Sequence, residues 1–325
     1  FCVTDTQYQH LANSKEPLNV MVDTDLQPGS LSYGEYLLPG NSKQEILISC
    51  YICHPSMAND SLSGVLLTAF LARHLTSIDE RKWSYRFVFV PETIGAIAYC
   101  ARNEEAMKAI DIGFVVTTIG GPGSFGYKQS FNSKHLINKT VEEVLRTHTS
   151  EYFTYPFDIH GSDERQYSSQ GFRINCISIT KDKYYQYPYY HSSLDNLDFV
   201  KAEYITEALG IYIKTMNAIE NKHDTLHDHN QSSKKELHNK VTWENVHPNC
   251  ELMLSKYGLY PTTGGSQLPV SGTHNELDVI LLLLFWLDGN HSLDYVLSMN
   301  GLSVTEAMPV VQKLVQKGLL KEHSL

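Results

Sequence analysis

The chain lacks most of the features that mark specialised protein classes. Six cysteines in 325 residues are too few for a disulfide framework. Cys2, Cys50, Cys53, Cys100, Cys176 and Cys250 form no zinc-finger spacing. Cys50 and Cys53 are a CxxC by count, but they fall in an apolar run that reads as a buried strand, so free thiols in a reducing compartment are expected. There is no basic excess. The formal net charge is -10, which excludes non-specific nucleic-acid binding as the main role. No apolar run approaches the ~20 residues that span a bilayer. The longest, Val279 to Leu287, is bracketed by Asp278 and Asp288. The opening FCVTDTQYQH has no initiating Met and no signal-peptide pattern, so a cytoplasmic chain with residues missing upstream is expected. Charged residues are only 19%, too few for a coiled coil, and 20 tyrosines are too many for a disordered chain.

What is present is an alternation of apolar runs and helical patterns. EILISCYICHP reads as a strand from Ile46 to Cys53, and YRFVFV from Tyr85 to Val90 as a second. Ile112 to Ile119 and Asn175 to Thr180 read as two more. Helical patterns cover Gly64 to Leu75, Ile94 to Lys108, Lys139 to Thr147 and Val200 to Asn221. Such alternation predicts a mostly parallel sheet with helices on both faces. Residues 1–222 are assigned to this α/β domain, 223–272 to a linker and irregular segment, and 273–325 to a C-terminal unit of three helices. That unit has a winged-helix pattern, with Ser303 and Glu306 forming a capping box. Nine consecutive apolar residues from Val279 need cover on most sides, from the larger domain or from a second copy. His223, His227, His229 and His238 sit in the polar linker, and a solvated stretch is the expected reading there.

Four short segments carry candidate chemistry. His54 and Asp60 in HPSMANDSLSG follow the first strand, where ligands bind in open α/β sheets. They suit a divalent cation, zinc above all, although Asp60 also reads as a helix cap. Glu92 in VPETIG ends the second strand. It reads either as a general base or as an acid at a helix start. Asp163, Glu164 and Arg165 in GSDERQY read as a metal ligand and substrate clamp, or as a surface ion pair. His191 in YYHSSLD reads as a zinc ligand whose second nitrogen Asp195 could hold, or as part of an aromatic surface loop.

The motifs CHPSMANDSLSG, VPETIGAIAY, GSDERQY and YPYYHSSLDNLDFV, in this order, resemble the zinc aminopeptidase superfamily of co-catalytic metallopeptidases. They look most like bacterial aminopeptidase-like proteins with a C-terminal winged helix, some described as polysaccharide-biosynthesis proteins. The resemblance covers nearly the whole chain and implies a further N-terminal segment. It implies that His54, Asp60 and His191 hold metal and that Glu92, by its spacing to Gly95, is the general base. Thr93 and Thr117 stand where that superfamily has two further metal-binding acids. One zinc is therefore expected instead of two, with Asp163 as a fourth ligand or supporting acid.

The expected function is a zinc-dependent aminopeptidase or related amide hydrolase, using zinc-activated water with Glu92 as base and a peptide or aminoacyl substrate. Asp163 or Glu164 would hold a substrate ammonium, and Arg165 a carboxylate or oxyanion. One alternative is a catalytically degenerate peptidase fold that binds a peptide or sugar. Another is a winged-helix DNA-binding regulator, disfavoured because residues 276–325 hold six acids against three lysines. Neither membrane nor nucleic acid is an expected partner; a second copy of the chain is one candidate.

Overall fold

Apolar runs in the first half of the chain become strands because the sheet they form is covered on both faces. The computed structural model describes residues 2–226, 242–260 and 274–323, and its first element is helix α1 (Asp5–Ala12). His227, His229 and His238 lie outside the described residues. The main sheet has seven strands: β1 (Gly34–Leu38), β2 (Glu45–Tyr51), β3 (Ser84–Val90), β4 (Ile112–Val115), β5 (Phe125–Lys128), β6 (Tyr152–Tyr155) and β7 (Asn175–Thr180). Their order is β1-β3-β2-β4-β7-β5-β6. The central four, β3-β2-β4-β7, are parallel. β1 joins β3 and β5 joins β7 in antiparallel fashion, while β6 lies parallel to β5. The mixed edges were not evident in the sequence, since β1, β5 and β6 are short and half polar.

Alternation along each central strand divides the core. Ile46, Ile48, Phe87, Phe114 and Ile177 point to one face. There they meet α2 (Gly64–Thr76), α5 (Leu136–His148) and α7 (Ala202–Asn221). Leu47, Val88, Val115 and Cys176 point to the other face. That face packs on α3 (Ile94–Arg102), α4 (Glu104–Lys108) and α6 (Glu164–Tyr167). The helix expected over 94–108 is thus two helices, broken at Asn103, whose φ of -120° and ψ of 32° are not helical. The run read as a strand to Cys53 ends at Tyr51, and Cys53 is exposed beyond it. Gly64 allows α2 to begin against β4: a Cβ there would lie 2.4 Å from the Val116 carbonyl oxygen.

The C-terminal unit contains α8 (Glu276–Trp286), α9 (Leu293–Asn300) and α10 (Val304–Gln316), with both expected capping groups on α10 in place. A three-stranded antiparallel sheet completes it, formed by β8 (Thr242–Asn245), β9 (Asp288–Ser292) and β10 (Leu320–His323). β8 lies inside the segment expected to be irregular; four residues are too short for a readable alternation. Helix α8 is covered on the side its own unit leaves open by Phe131, Phe157 and Ile159 of the larger domain. Its last carbonyls receive a side chain from across the interface, as Gln170 Nε2 donates to the carbonyls of Leu284, Phe285 and Leu287 at 2.9, 3.1 and 2.9 Å. Arg173 adds an ion pair to Asp288 at 2.8 Å. Among the described residues, no helix is long and apolar enough to cross a membrane.

Candidate metal centre

Because β2, β3, β4 and β7 run parallel, the residues after Tyr51, Val90, Val115 and Thr180 all leave the sheet at one end. His54, Glu92, Thr117 and the loop that carries His191 therefore gather there, and Asp60 arrives from an irregular turn before α2. His54, Asp60 and His191 each present a ligand atom, and these atoms all lie within 4.8 Å of one another. Asp60 is 1% exposed. Its Oδ2 is 3.2 Å from His191 Nε2. The rings of His54 and His191 have centroids 5.2 Å apart.

The other oxygen of Asp60 faces hydroxyls. Tyr51 donates a short hydrogen bond to Asp60 Oδ1, and Thr117 Oγ1 lies 3.4 Å from the same oxygen and 2.6 Å from the Tyr51 hydroxyl. The hydrogen bond to Asp60 raises His191 against the loss from its burial. His54 shifts the other way: burial lowers it, with Asp60 opposing.

Glu92 Oε2 lies 3.8 Å from His54 Nε2. Burial pushes its carboxyl from 4.5 up to about 7; Ser162 and Arg165 oppose this, while Asp60 and Glu164 reinforce it. Thr93, next in the chain, has φ of 61°, an unusual value for a β-branched residue. Its amide donates to Asp163 Oδ1 at 2.7 Å. Asp163 is fully buried, and burial followed by the Glu92 charge drives its carboxyl well above the usual range.

The other four candidate residues make different contacts. Asp195 accepts the amides of Asn59 and Asp60 at 2.6 and 3.0 Å and the Tyr187 hydroxyl at 2.9 Å. It holds the turn that presents Asp60, instead of orienting His191. Asp163 holds the Thr93 backbone and is not among the clustered ligands, though its Oδ2 and Glu164 Oε2 are buried without hydrogen-bond partners. Glu164 is turned inward, accepting from Ser178 Oγ at 2.8 Å. Arg165 pairs with Glu251 at 2.8 Å, toward the C-terminal unit. Tyr51, Cys53 and Tyr187 were missed as site residues. Tyr51 and Cys53 looked like strand, and Tyr187 was one aromatic of many; only the Cys53-His54 dipeptide was a local signal. His223 lies apart, against Asp224 at 2.9 Å and the Trp83 ring. An open cleft of about 480 Å³ borders the cluster, lined by Tyr51, His54, Met57, Leu62, Val65 and Leu197.

This fold is that of an aminopeptidase-like α/β domain joined to a winged helix. Residues 8–222 match the family described as a domain of unknown function (DUF4910), and 241–322 match a winged helix-turn-helix model. The chain belongs to the DUF4910 family. It is 34% identical over 325 residues to a Clostridium acetobutylicum protein named for polysaccharide biosynthesis with an aminopeptidase-like domain, covering 99% of this chain and 68% of that one. A crystal structure from Clostridium acetobutylicum, provisionally named a peptidase, superposes with a TM-score of 0.56 at 33% identity and covers 90% of this chain. The present chain spans 60% of that protein's length. A zinc aminopeptidase from Bacillus subtilis gives a TM-score of 0.48 at 16% identity, covering 57% of this chain and 48% of that one.

Proposed function

We propose that the chain is a single-zinc aminopeptidase or related amide hydrolase, with zinc held by His54, Asp60 and His191 and with Glu92 as general base. The supporting observation is the convergence of two imidazoles and a buried carboxylate within 4.8 Å, at the cleft and beside Glu92. The donor set fits zinc. Bonds of 2.0–2.2 Å to nitrogen and oxygen in a tetrahedron put those two ligands about 3.4 Å apart, close to the 3.2 Å between His191 and Asp60. A zinc ion there would supply Lewis acidity toward an amide carbonyl and toward water. Tyr51 and Asp195 fix Asp60, one through its carboxylate and the other through its backbone. Glu92 is poised near neutrality to take a proton from the attacking water and return it to the leaving amine.

A second reading, a peptide- or sugar-binding protein without hydrolysis, has its own observation. Thr93 and Thr117 occupy the two positions where the superfamily has acids, and Thr117 is tied to Tyr51. A DNA-reading role for the winged helix is disfavoured. Lys313 is the one cation within α10, and it pairs with Glu276 at 2.5 Å.

The deciding experiment measures zinc by elemental analysis and hydrolysis across a panel of aminoacyl amides, with wild type beside Glu92→Gln. About one zinc per chain in both, with hydrolysis by the wild type and hydrolysis about 10²–10⁴-fold weaker in the variant, supports the enzyme. Zinc without any hydrolysis moves the conclusion to ligand binding. Zinc lost in Glu92→Gln would make Glu92 a ligand of the resident ion.

A further inference from the structure

Cys53 stands outside the ligand set above, yet its sulfur faces the same imidazole. The Ile52 amide donates to the Val90 carbonyl at 2.9 Å, so the chain after β2 and the chain after β3 leave the sheet side by side. The Glu92 amide then donates to Cys53 Sγ at 3.1 Å. Cys53 Sγ lies 3.4 Å from His54 Nδ1, and Glu92 Oε2 lies 3.8 Å from His54 Nε2. Cys53, His54 and Glu92 each offer a ligand atom, and these atoms all lie within 4.8 Å of one another. Zinc bonds of about 2.3 Å to sulfur and 2.0–2.1 Å to nitrogen, at the tetrahedral angle, separate the two donors by about 3.5 Å. The distance between Cys53 and His54 is nearly that edge.

We infer that Cys53, His54 and Glu92 form a second, thiolate-bearing cation position, alternative to the one formed by His54, Asp60 and His191. The inference rests on the zinc reading of the latter set. The two positions exclude each other because a neutral imidazole has one free lone pair, and both need it from His54. Occupying the second position converts the Cys53 thiol to a thiolate and releases its proton to solvent. It also takes the Glu92 carboxylate as a ligand, so the group proposed as base can no longer accept a proton. A thiolate donor favours thiophilic ions such as zinc or cadmium over magnesium or calcium. A cation held there is therefore a resting or inhibitory state of the same centre.

Cobalt(II) separates the two positions by spectrum. The metal-free full chain is titrated with cobalt(II) and its absorption recorded. Thiolate ligation gives an intense near-ultraviolet charge-transfer band, whereas nitrogen and oxygen ligands give only weak visible bands. The wild type is expected to show both kinds. Cys53→Ser and Cys53→Ala should lose at least nine tenths of the near-ultraviolet band and keep the visible ones. His191→Ala should raise the near-ultraviolet band, because the competing position is broken. The inference falls if wild type binds cobalt with visible bands alone, which would leave the zinc reading standing. It also falls if the band survives both cysteine variants. A band that disappears in His191→Ala would mean that Cys53 ligates the first-position ion, and no second position exists. If the wild type binds no cobalt, the inference and the zinc reading fall together.

Discussion

The two oxygens of Asp60 look onto two differently built regions. Oδ2 faces His191 at 3.2 Å, with His54 in the same cluster. Oδ1 faces the hydroxyls of Tyr51 and Thr117. On the first side the donors are lone pairs, which suit a cation. On the second side the carboxylate is already satisfied by O–H donors, which a cation would have to displace. Under the single-zinc proposal, the contrast explains why a cation would be held on the first side and not on the second. An acid at position 117 beside buried Asp60 would need a second cation or a shared proton between the two carboxyls, whereas a threonine hydroxyl supports the lone carboxylate without either.

The largest test of this contrast removes the shared residue. Asp60→Ala should weaken zinc binding by more than about 100-fold, beyond the 10–100-fold typical of supporting residues. Chelator competition measures it, and zinc retained at wild-type affinity would place the ion elsewhere. Next in size is conversion of the hydroxyl side. The double variant Thr93→Glu with Thr117→Asp should raise zinc content from about one to about two per chain in elemental analysis. A stoichiometry unchanged at one would mean that Tyr51, and not the missing acids, keeps a second ion out.

Tyr51→Phe should lower zinc affinity about 10–100-fold, because Asp60 loses the donor that orients it. An unchanged affinity would make that hydrogen bond incidental to the centre. The smallest effect concerns pH. In the metal-free chain Glu92 titrates at about 7 against an ordinary 4.5, chiefly through burial. Between those values the native chain binds more protons than the unfolded one, so stability falls as pH rises from 4.5 to 7 and then levels. The loss should be about 1–2 kcal/mol, since a quarter of the side chain is exposed. Urea midpoints across this range should fall more steeply in wild type than in Glu92→Gln, where the raised carboxyls of Asp163 and Asp182 keep part of the slope. Equal slopes in both chains would assign the effect to other carboxyls.

Much of the candidate centre was legible in the sequence. His54, Glu92 and His191 each follow an apolar run or loop at the carboxyl end of a strand, and parallel strands bring those ends together. Asp163 and Asp195 stood out in the sequence as candidate supporting acids, but their backbone-amide partners did not. Whether a carboxylate binds a metal or holds a backbone amide depends on distances of an ångström, and spacing along the chain does not encode them. Cys53 was set aside because an apolar run hides where its strand stops; pairing with β4 ends at Ser49 and pairing with β3 at Tyr51. In the C-terminal unit the excess of apolar residues on α8 signalled a missing cover.

Composition and periodicity alone determined that this chain builds an α/β layer structure with a three-helix appendage, because burial of apolar runs is a local, repeating demand. They also put an imidazole or an acid at the end of several strand units. The tertiary structure decided which of those side chains meet, that Asp60 divides its oxygens between imidazole and hydroxyls, and that Phe131, Phe157 and Gln170 receive α8. Such choices depend on contacts between residues far apart in the chain. Their distances are set only when the sheet order and the interface between the two units are complete.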